Sequence, residues 1–289
     1  MNTVNAVVQG VLLGGLYALV AAGLSLVFGV MRIVNLAHGV LAVLAAYGAL
    51  LLGEQLGWNP FLSLLVVVPV MAALGYLLQR ALLDRALKGG ELAPLLVTFG
   101  LAIVVQNLLL ETFSADTQRL DIGSLGGASI RIADGLAVGW FPLLAAGVGV
   151  LVIAGLGQFL ARTRTGRAMR ATSDDQEAAQ LMGIDNRRLY AVATAIALGT
   201  VAIAGVFLGS RSTFDPAAGA TTLIFAFEAV VIGGLGSLWG TLLGGVVLGV
   251  AQGLGAAIDP AYGVLAGHLV FLAVLAVRPR GLLPSAVTA

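Results

Sequence analysis

Long apolar runs alternate with short polar connections along almost the whole chain. The runs approach or exceed the roughly 20 residues that an α-helix needs to cross a bilayer, and they lack the ten-residue alternation of a membrane β-barrel. We therefore expect an all-α integral membrane protein, a polytopic bundle of about eight or nine transmembrane helices. The predicted segments are about 4–30, 36–53, 60–82, 94–113, 140–161, 189–209, 222–236, 240–258 and 263–278.

The pair 222–236 and 240–258 leaves the span count open. These two segments flank the glycine-containing sequence GSLWG at 236–240, and they fit either two short spans or one re-entrant hairpin within 222–258. Both alternatives leave the orientation of the other segments unchanged.

Basic residues in the connections predict the orientation, because Lys and Arg concentrate on the cytoplasmic side of membrane proteins. An outer amino terminus places 12 of the 15 Lys and Arg residues in the cytoplasm and leaves Arg119, Arg131 and Arg211 outside. The carboxyl terminus and the basic loop 162–188 are then cytoplasmic, and the connection 114–139 is periplasmic.

Composition agrees with a membrane protein that has no soluble domain. Hydrophobic residues make up 59% of the 289 residues and charged residues only 10%. The longest outer connection, 114–139, is too short to bury a core of its own. The whole chain, 1–289, is therefore expected to form a single transmembrane domain.

Catalytic and nucleotide-binding motifs do not occur in the sequence. The chain has no cysteine, which excludes thiolate chemistry, and its two histidines have no carboxylate at ligand spacing. Its single lysine, Lys88, precedes Gly89 and not the Ser or Thr of a phosphate-binding loop. We expect no enzyme activity, no metal site, no cofactor in this chain and no nucleic-acid partner.

Polar side chains inside the predicted spans are few, and each is costly in hydrocarbon unless it faces a partner or water. Glu228 is the one carboxylate well inside a predicted span, and it either lies near a transport path or hydrogen-bonds to a neighbouring helix. His38 and His268 are interpreted as lone imidazoles among small apolar residues, which favours a structural role. The other polar candidates are Asn35, Gln106, Asn107 and Gln252.

Glycines recur at intervals of four residues towards the carboxyl terminus. They fall at 236, 240 and 244 and again at 245, 249 and 253, a spacing that stacks small residues on one helix face. The pattern favours tight helix packing, and the alternative is a sliding or path-lining surface. The candidates for the transport path are Asn35, His38, Gln106, Asn107, Glu228, Gly236 and Gly240.

The basic loop 162–188 contains a helix signal as well as arginines. Ser173 and Gln176 have the spacing of a capping box, Asp174 and Asp175 suit a helix N-terminus, and Gly183 suits a C-cap. We predict a short helix over about 174–182. Its apolar residues, together with Ile184 beyond it, would form a small surface for a partner: Ala178, Ala179, Leu181 and Met182.

The run Glu177-Ala178-Ala179 followed by Gly183 resembles the EAA loop of ABC-transporter permeases, a cytoplasmic helix that docks on an ATPase subunit. Further segments, in the same order, resemble the branched-chain amino acid ABC permease family, specifically its shorter H-type subunit. They are GLYALVAAGLSLVFGVMRIVNLAHG at 15–39, LLVTFGLAIVVQN at 95–107, TGRAMRATSDDQEAAQLMGI at 165–184, VVIGGLGSLWGTLLGG at 230–245 and RPRGLLP at 278–284.

This resemblance implies a multi-pass subunit of an importer for leucine, isoleucine and valine in the bacterial inner membrane. It also implies a second related permease in a heterodimer, two cytoplasmic ATPases that bind ATP and Mg, a periplasmic binding protein, and surrounding lipid. Carried over by position, the residues coupled to the ATPases are Arg167, Arg170, Asp174, Glu177, Ala178, Ala179, Leu181 and Gly183.

The cargo stays open at this point, because the connection 114–139, where a binding protein would dock, does not match the family residue by residue. Urea and short-chain amide permeases resemble the same segments and are the nearest alternative. An ion-coupled carrier working alone is a rival of another class, and the shortage of buried ionisable groups disfavours it.

Overall fold

Nine apolar helices form the body of the protein in the computed structural model, which describes residues 3–90, 92–133 and 136–283. Seven of them are long and apolar enough to cross a membrane, and two have 16 residues each. In order, the α-helices are α1 (Thr3–Met31), α2 (His38–Leu56), α3 (Pro60–Leu78), α4 (Asp84–Ala86), α5 (Leu92–Phe113), α6 (Trp140–Arg162), α7 (Arg164–Asp174), α8 (Gln176–Leu181), α9 (Asn186–Arg211), α10 (Ala218–Gly233), α11 (Leu238–Ile258) and α12 (Tyr262–Val277).

The prediction of an all-α polytopic membrane protein is confirmed, and each predicted apolar segment contains a helix. The bounds differ by at most four residues, as at α10, which begins at Ala218 and not near 222. Within the predicted segment 60–82 the α-helix ends at Leu78 and continues as a π-helical turn, Gln79–Leu83.

Local sequence explains the sharp turn between α2 and α3. Gly57 adopts φ +66° and ends α2, a left-handed conformation that glycine takes at little cost. Asn59 then caps α3 by accepting a hydrogen bond from the Phe61 amide, and Pro60 occupies the first helical position. The two helices are therefore joined by only three residues.

Glycines bring α1, α10 and α11 into backbone contact. A Cβ added at Gly10 would lie 2.6 Å from the Val250 Cα, and one at Gly253 would lie 2.6 Å from the Ala6 carbonyl oxygen. Gly245, Gly249 and Gly253 face α1, whereas Gly240 and Gly244 face α10. The glycines thus form two packing rows on α11 and not one stripe.

Gly236 belongs to neither glycine row. It lies in the turn between α10 and α11 with φ +80°, because α11 begins only at Leu238. The side chain of Ser237 caps α11 by accepting a hydrogen bond from the Gly240 amide at 3.1 Å.

The connection 114–139 contains two strands that the sequence analysis did not predict. β1 (Ser129–Ala133) and β2 (Leu136–Gly139) pair antiparallel. Gln118 and Phe214 exchange backbone hydrogen bonds of 2.7 and 2.9 Å, and the Leu120 amide donates to the Gly209 carbonyl. The connection is therefore fixed against the end of α9.

Long-range hydrogen bonds sort the connections into two ends of the bundle. At one end the Gln9 side chain, near the start of α1, donates to the Ala137 carbonyl at 2.9 Å. At the other end Ser173 bonds to Gly29, near the end of α1. This grouping agrees with the charge-based prediction, which put 114–139 and 162–188 on opposite sides.

Candidate functional site

Four polar side chains form two hydrogen-bonded pairs inside the bundle, one residue each from α1, α10, α11 and α12. We call Tyr17, Glu228, Gln252 and His268 the interior polar cluster. The Tyr17 hydroxyl donates to Gln252 Oε1 over 2.7 Å, and His268 Nδ1 lies 2.5 Å from Glu228 Oε1. The ring of Phe225 lies between the two pairs, with its centroid 5.1 Å from that of Tyr17 and 6.1 Å from that of His268.

The cluster bears on the sequence-based interpretations of Glu228 and His268. Glu228 does bond to a neighbouring helix, as one alternative required. The interpretation of His268 as a lone imidazole is wrong, because α10 and α12 pack together and bring it to a carboxylate 40 positions away in the chain. No sequence signal of local spacing could have paired them, or paired Tyr17 with Gln252.

The cluster has unused hydrogen-bonding capacity. Glu228 and Gln252 are only 3% and 6% exposed, yet among the described residues Glu228 Oε2 and Gln252 Nε2 have no hydrogen-bond partner. The Gln252 side chain fills the space that Gly267 leaves beside it. Most buried polar atoms in proteins are paired. An unpaired acceptor and an unpaired donor in one cluster therefore need an explanation, such as the binding of a ligand.

A cavity of about 190 Å³ lies between α1, α6 and α11, and none of the four cluster side chains is among its lining residues. Leu16 and Gly253, the chain neighbours of Tyr17 and Gln252, are among its lining residues. Arg211, at the end of α9, also lines it and faces the Tyr17 hydroxyl. The remaining walls are mainly aliphatic.

Asn35 and His38 hold a break between α1 and α2. The Asn35 side chain accepts a hydrogen bond from the Ala37 amide at 3.0 Å. His38, fully buried, has its Nε2 2.8 Å from the Val20 carbonyl oxygen, so Nε2 carries the proton and donates. Because Val20 is well inside α1, α2 starts beside the middle of α1, and this geometry supports the structural alternative for His38.

Gln106 and Asn107 lie away from the interior polar cluster. Both are on α5, which packs against α2 and the 79–89 region, whereas the cluster is built by α1, α10, α11 and α12. Asn107 is exposed and its side-chain amide donates to the Ile103 carbonyl of its own helix at 2.8 Å. The structure therefore does not bring all the sequence-derived path candidates to one place.

The basic loop forms two helices, α7 and α8, and not one. Asp175 separates them and caps α8, since its Oδ1 accepts from the Glu177 and Ala178 amides at 2.9 and 3.0 Å. The predicted capping box of Ser173 and Gln176 is wrong, because the Ser173 hydroxyl is bonded to α1 instead. The predicted helix 174–182 is accordingly shorter, and Asp174 is the last residue of α7.

The C-terminal end of α8 agrees with the prediction. Gly183 has φ +83°, its amide donates to the Gln180 carbonyl at 2.9 Å, and the Ile184 amide donates to the Ala179 carbonyl at 3.1 Å. These two hydrogen bonds together form a Schellman motif. It fixes how α8 ends and where its exposed residues lie.

Two large apolar side chains of α8 and its C-cap are almost fully exposed. Leu181 is 89% and Met182 83% exposed, and Glu177 and Ala178 beside them are also exposed. Ala179 instead packs inward at 5% exposure. We call Glu177, Ala178, Leu181 and Met182 the α8 surface.

Arg167 and Arg170 do not point to the α8 surface. Arg167 donates to the Arg162 carbonyl at 3.0 Å and Arg170 to the Ala161 carbonyl at 3.3 Å. Both guanidinium groups therefore satisfy carbonyls at the C-terminal end of α6, where cations are favoured. They stabilise the corner between α6 and α7.

A direct link between the basic loop and the first helix was not predictable from local sequence. The Ser173 hydroxyl donates to the Gly29 carbonyl at 2.6 Å, and the Arg32 guanidinium donates to the Ser173 carbonyl at 3.1 Å. Arg32 adopts φ +55°, which is uncommon for a residue other than glycine. The junction of α7 and α8 is thus bonded to the place where α1 ends.

Comparison with known proteins gives matches over nearly the full chain. The profile of a family described as the permease component of the branched-chain amino acid transport system matches residues 6–275. The high-affinity branched-chain amino acid transport system permease protein BraD of Pseudomonas aeruginosa is 34% identical, over 96% of this chain and 94% of its own length. No solved structure matches the chain.

Two relatives from Escherichia coli also match. The permease protein LivH is 30% identical over 95% of this chain and 93% of its own length. The permease protein LivM is 27% identical over 93% of this chain and 68% of its own length. Both are named as permease proteins of a high-affinity branched-chain amino acid transport system.

Proposed function

The chain belongs to the family of branched-chain amino acid transport system permease components, and from this membership we propose that it is a permease subunit of an ABC importer for branched-chain amino acids. The observation that carries the proposal is the match over residues 6–275 together with 34% identity across nearly the whole of a named permease. The protein acts as a transport subunit and not as an enzyme.

The partners follow from the same proposal. LivM, a second permease named for the same transport, is itself a relative of this chain, which supports a heterodimer of two related permeases. ATP and Mg are bound by two separate cytoplasmic ATPases, one of which docks on the α8 surface of this chain while the other docks on the second permease. A periplasmic binding protein delivers the amino acid at the end of the bundle that carries β1 and β2.

The proposed topology has nine crossings in a bacterial inner membrane, with the amino terminus outside and the carboxyl terminus in the cytoplasm. Helix α10 is only about 24 Å long at 1.5 Å per residue, short of a hydrocarbon core of about 30 Å. Its Gly219 packs against Val40 near the start of α2. Because α2 starts beside the middle of α1, this contact supports a start for both helices below the membrane surface. Helix α11 has 21 residues and is about 32 Å long at 1.5 Å per residue, enough to cross the core by itself, which favours two spans over one re-entrant hairpin.

Coupling runs from the α8 surface to α1. Closure of the ATPases moves α7 and α8, and the bonds of Ser173 to Gly29 and of Arg32 to Ser173 carry this movement to the end of α1. Helix α1 in turn packs through Gly10 and Gly14 on α11. A shift of α1 therefore reaches the helices that hold the interior polar cluster, besides reaching α6 and α9, which adjoin the loop.

The test is uptake of labelled leucine by proteoliposomes that contain this chain, its second permease, the ATPases and the binding protein. Uptake should require ATP and should stop when the ATPases carry a substitution that prevents hydrolysis. Uptake of urea or acetamide, without uptake of leucine, would show that the cargo is a small amide and not a branched-chain amino acid. Ion-driven uptake by this chain alone would overturn the ABC mechanism.

A further inference from the structure

We propose that the interior polar cluster binds the ammonium and carboxylate groups of the amino acid during its passage through the membrane. This inference rests on the proposed function and names the site within the chain that carries it out. It assigns the ammonium group to Glu228 and the carboxylate to Gln252.

The chemistry of the unused atoms carries the assignment. Glu228 Oε1 is occupied by His268, but Oε2 is a buried acceptor with no partner among the described residues. Gln252 Oε1 accepts from Tyr17, but Nε2 is a buried donor that likewise has no partner among the described residues. An α-amino acid presents both complements, an ammonium donor and a carboxylate acceptor, and a neutral apolar solute presents neither.

The position of the cluster suits a transport path. Each of its residues lies at least five positions from either end of its helix, so the cluster is deep in the bundle. The His268 side chain is nevertheless 39% exposed, and an imidazole paired with a carboxylate is too costly to face hydrocarbon. The open side of His268 shares its face of α12 with the exposed Leu265 and Leu272, so in the proposed heterodimer this face lies where the two permeases enclose the path and not against lipid.

The neighbouring cavity supplies an aliphatic environment for the side chain of the cargo. Leu12, Leu13, Leu16 and Ala145 line it, and Arg211 offers a cation that attracts a carboxylate towards Tyr17. A binding site for a branched-chain amino acid has two requirements. Polar groups must bind its charged ends, and apolar residues such as these leucines must surround its aliphatic side chain. A purely structural pair would need neither the unused atoms nor the cavity.

Two substitutions test the site in the complete complex in nanodiscs. Glu228→Gln keeps the size and an oxygen that accepts from His268, but it removes the charge that attracts the ammonium group. Gln252→Leu removes the donor for the carboxylate. Glu54→Gln makes the same change as the first variant at an exposed position near the end of α2 and is the matched control.

The measurements are labelled leucine retained by the vanadate-trapped complex, the KM of leucine uptake, and the thermal midpoint as a check of folding. We expect each cluster variant to retain about tenfold less leucine or to show a KM about tenfold higher, as the loss of one hydrogen bond to a charged group predicts. Glu54→Gln should match the wild type. If one cluster variant does not fold, the other decides alone.

Unchanged retention and KM in a folded cluster variant would overturn the site while leaving the proposed function intact, because the wild type would still import leucine. Absence of leucine uptake by the wild-type complex would instead overturn the proposed function. The two failures are therefore distinguished within one experiment.

Discussion

Ser173 links the basic loop to α1 with a buried hydroxyl, and this link can be removed without touching the α8 surface. Ser173→Ala deletes the 2.6 Å bond to the Gly29 carbonyl and should cost about 1 kcal/mol of stability, the usual worth of such a bond. The larger effect should be on coupling, so that less leucine enters per ATP hydrolysed in proteoliposomes.

Ser212→Ala is the matched control for Ser173. Ser212 directly follows α9 and is exposed, and its hydroxyl makes only a 3.5 Å contact with the Leu208 carbonyl of that helix. An unchanged ratio of uptake to hydrolysis in Ser173→Ala would show that the bond of the Ser173 hydroxyl to Gly29 does not carry the movement, and would leave the Arg32 bond to the Ser173 carbonyl, α6 and α9 as the routes.

Asp175 and Asp174 are neighbours with different roles in the structure. Asp175→Ala removes the cap of α8 and should destabilise that helix by about 1 kcal/mol, which weakens the binding of the ATPases measured by titration. Asp174→Ala leaves the cap intact because Asp174 ends α7. Equal losses of binding in both variants would contradict the assignment of the cap to Asp175.

At the level of elements, hydropathy predicted the nine apolar helices because each must satisfy its own backbone inside the membrane. The division of the basic loop into α7 and α8 was not predictable in the same way. Ser173, Asp174 and Asp175 can all cap a helix, and the tertiary bond of Ser173 to Gly29 decides which one does so. The strands β1 and β2 escaped prediction because their sequence is short and lies between glycines.

The contact between α1 and α11 depends on residues without side chains. Gly10→Ala would place a Cβ 2.6 Å from the Val250 Cα, and overpacking of this kind costs about 1–3 kcal/mol. We expect a lower thermal midpoint and slower leucine uptake. Gly147→Ala is the control, since a Cβ there meets no described atom within 4 Å, and an equal effect of both variants would contradict the packing argument.

At the scale of the whole molecule, the candidate site was only partly predictable. Sequence marked Glu228, Gln252 and His268 as costly polar residues in apolar helices, but it could not pair them or add Tyr17. The partners are up to 235 positions apart, and only the packing of four helices brings them together. Gln106 and Asn107 had the same signal and lie elsewhere.

The α8 surface gives a prediction about the assembled complex and its orientation. Replacing Leu181 and Met182 together by Asn removes two apolar side chains that are 89% and 83% exposed. Because buried apolar anchors dominate protein interfaces, the ATPases should bind at least about tenfold more weakly. The measurement is co-purification and titration of the ATPases with complexes in nanodiscs.

Ile258→Asn is the matched control for the α8 surface, because Ile258 is 81% exposed at the end of α11. In the proposed topology this end of α11 lies outside, on the opposite side from α8, so the change should leave ATPase binding intact. Loss of binding in Ile258→Asn, with binding retained after the double change at Leu181 and Met182, would reverse the orientation of the whole bundle. Loss in the double variant alone would place α8 in the cytoplasm and the hairpin of β1 and β2 outside. The same binding measurement therefore tests the coupling surface and the topology together.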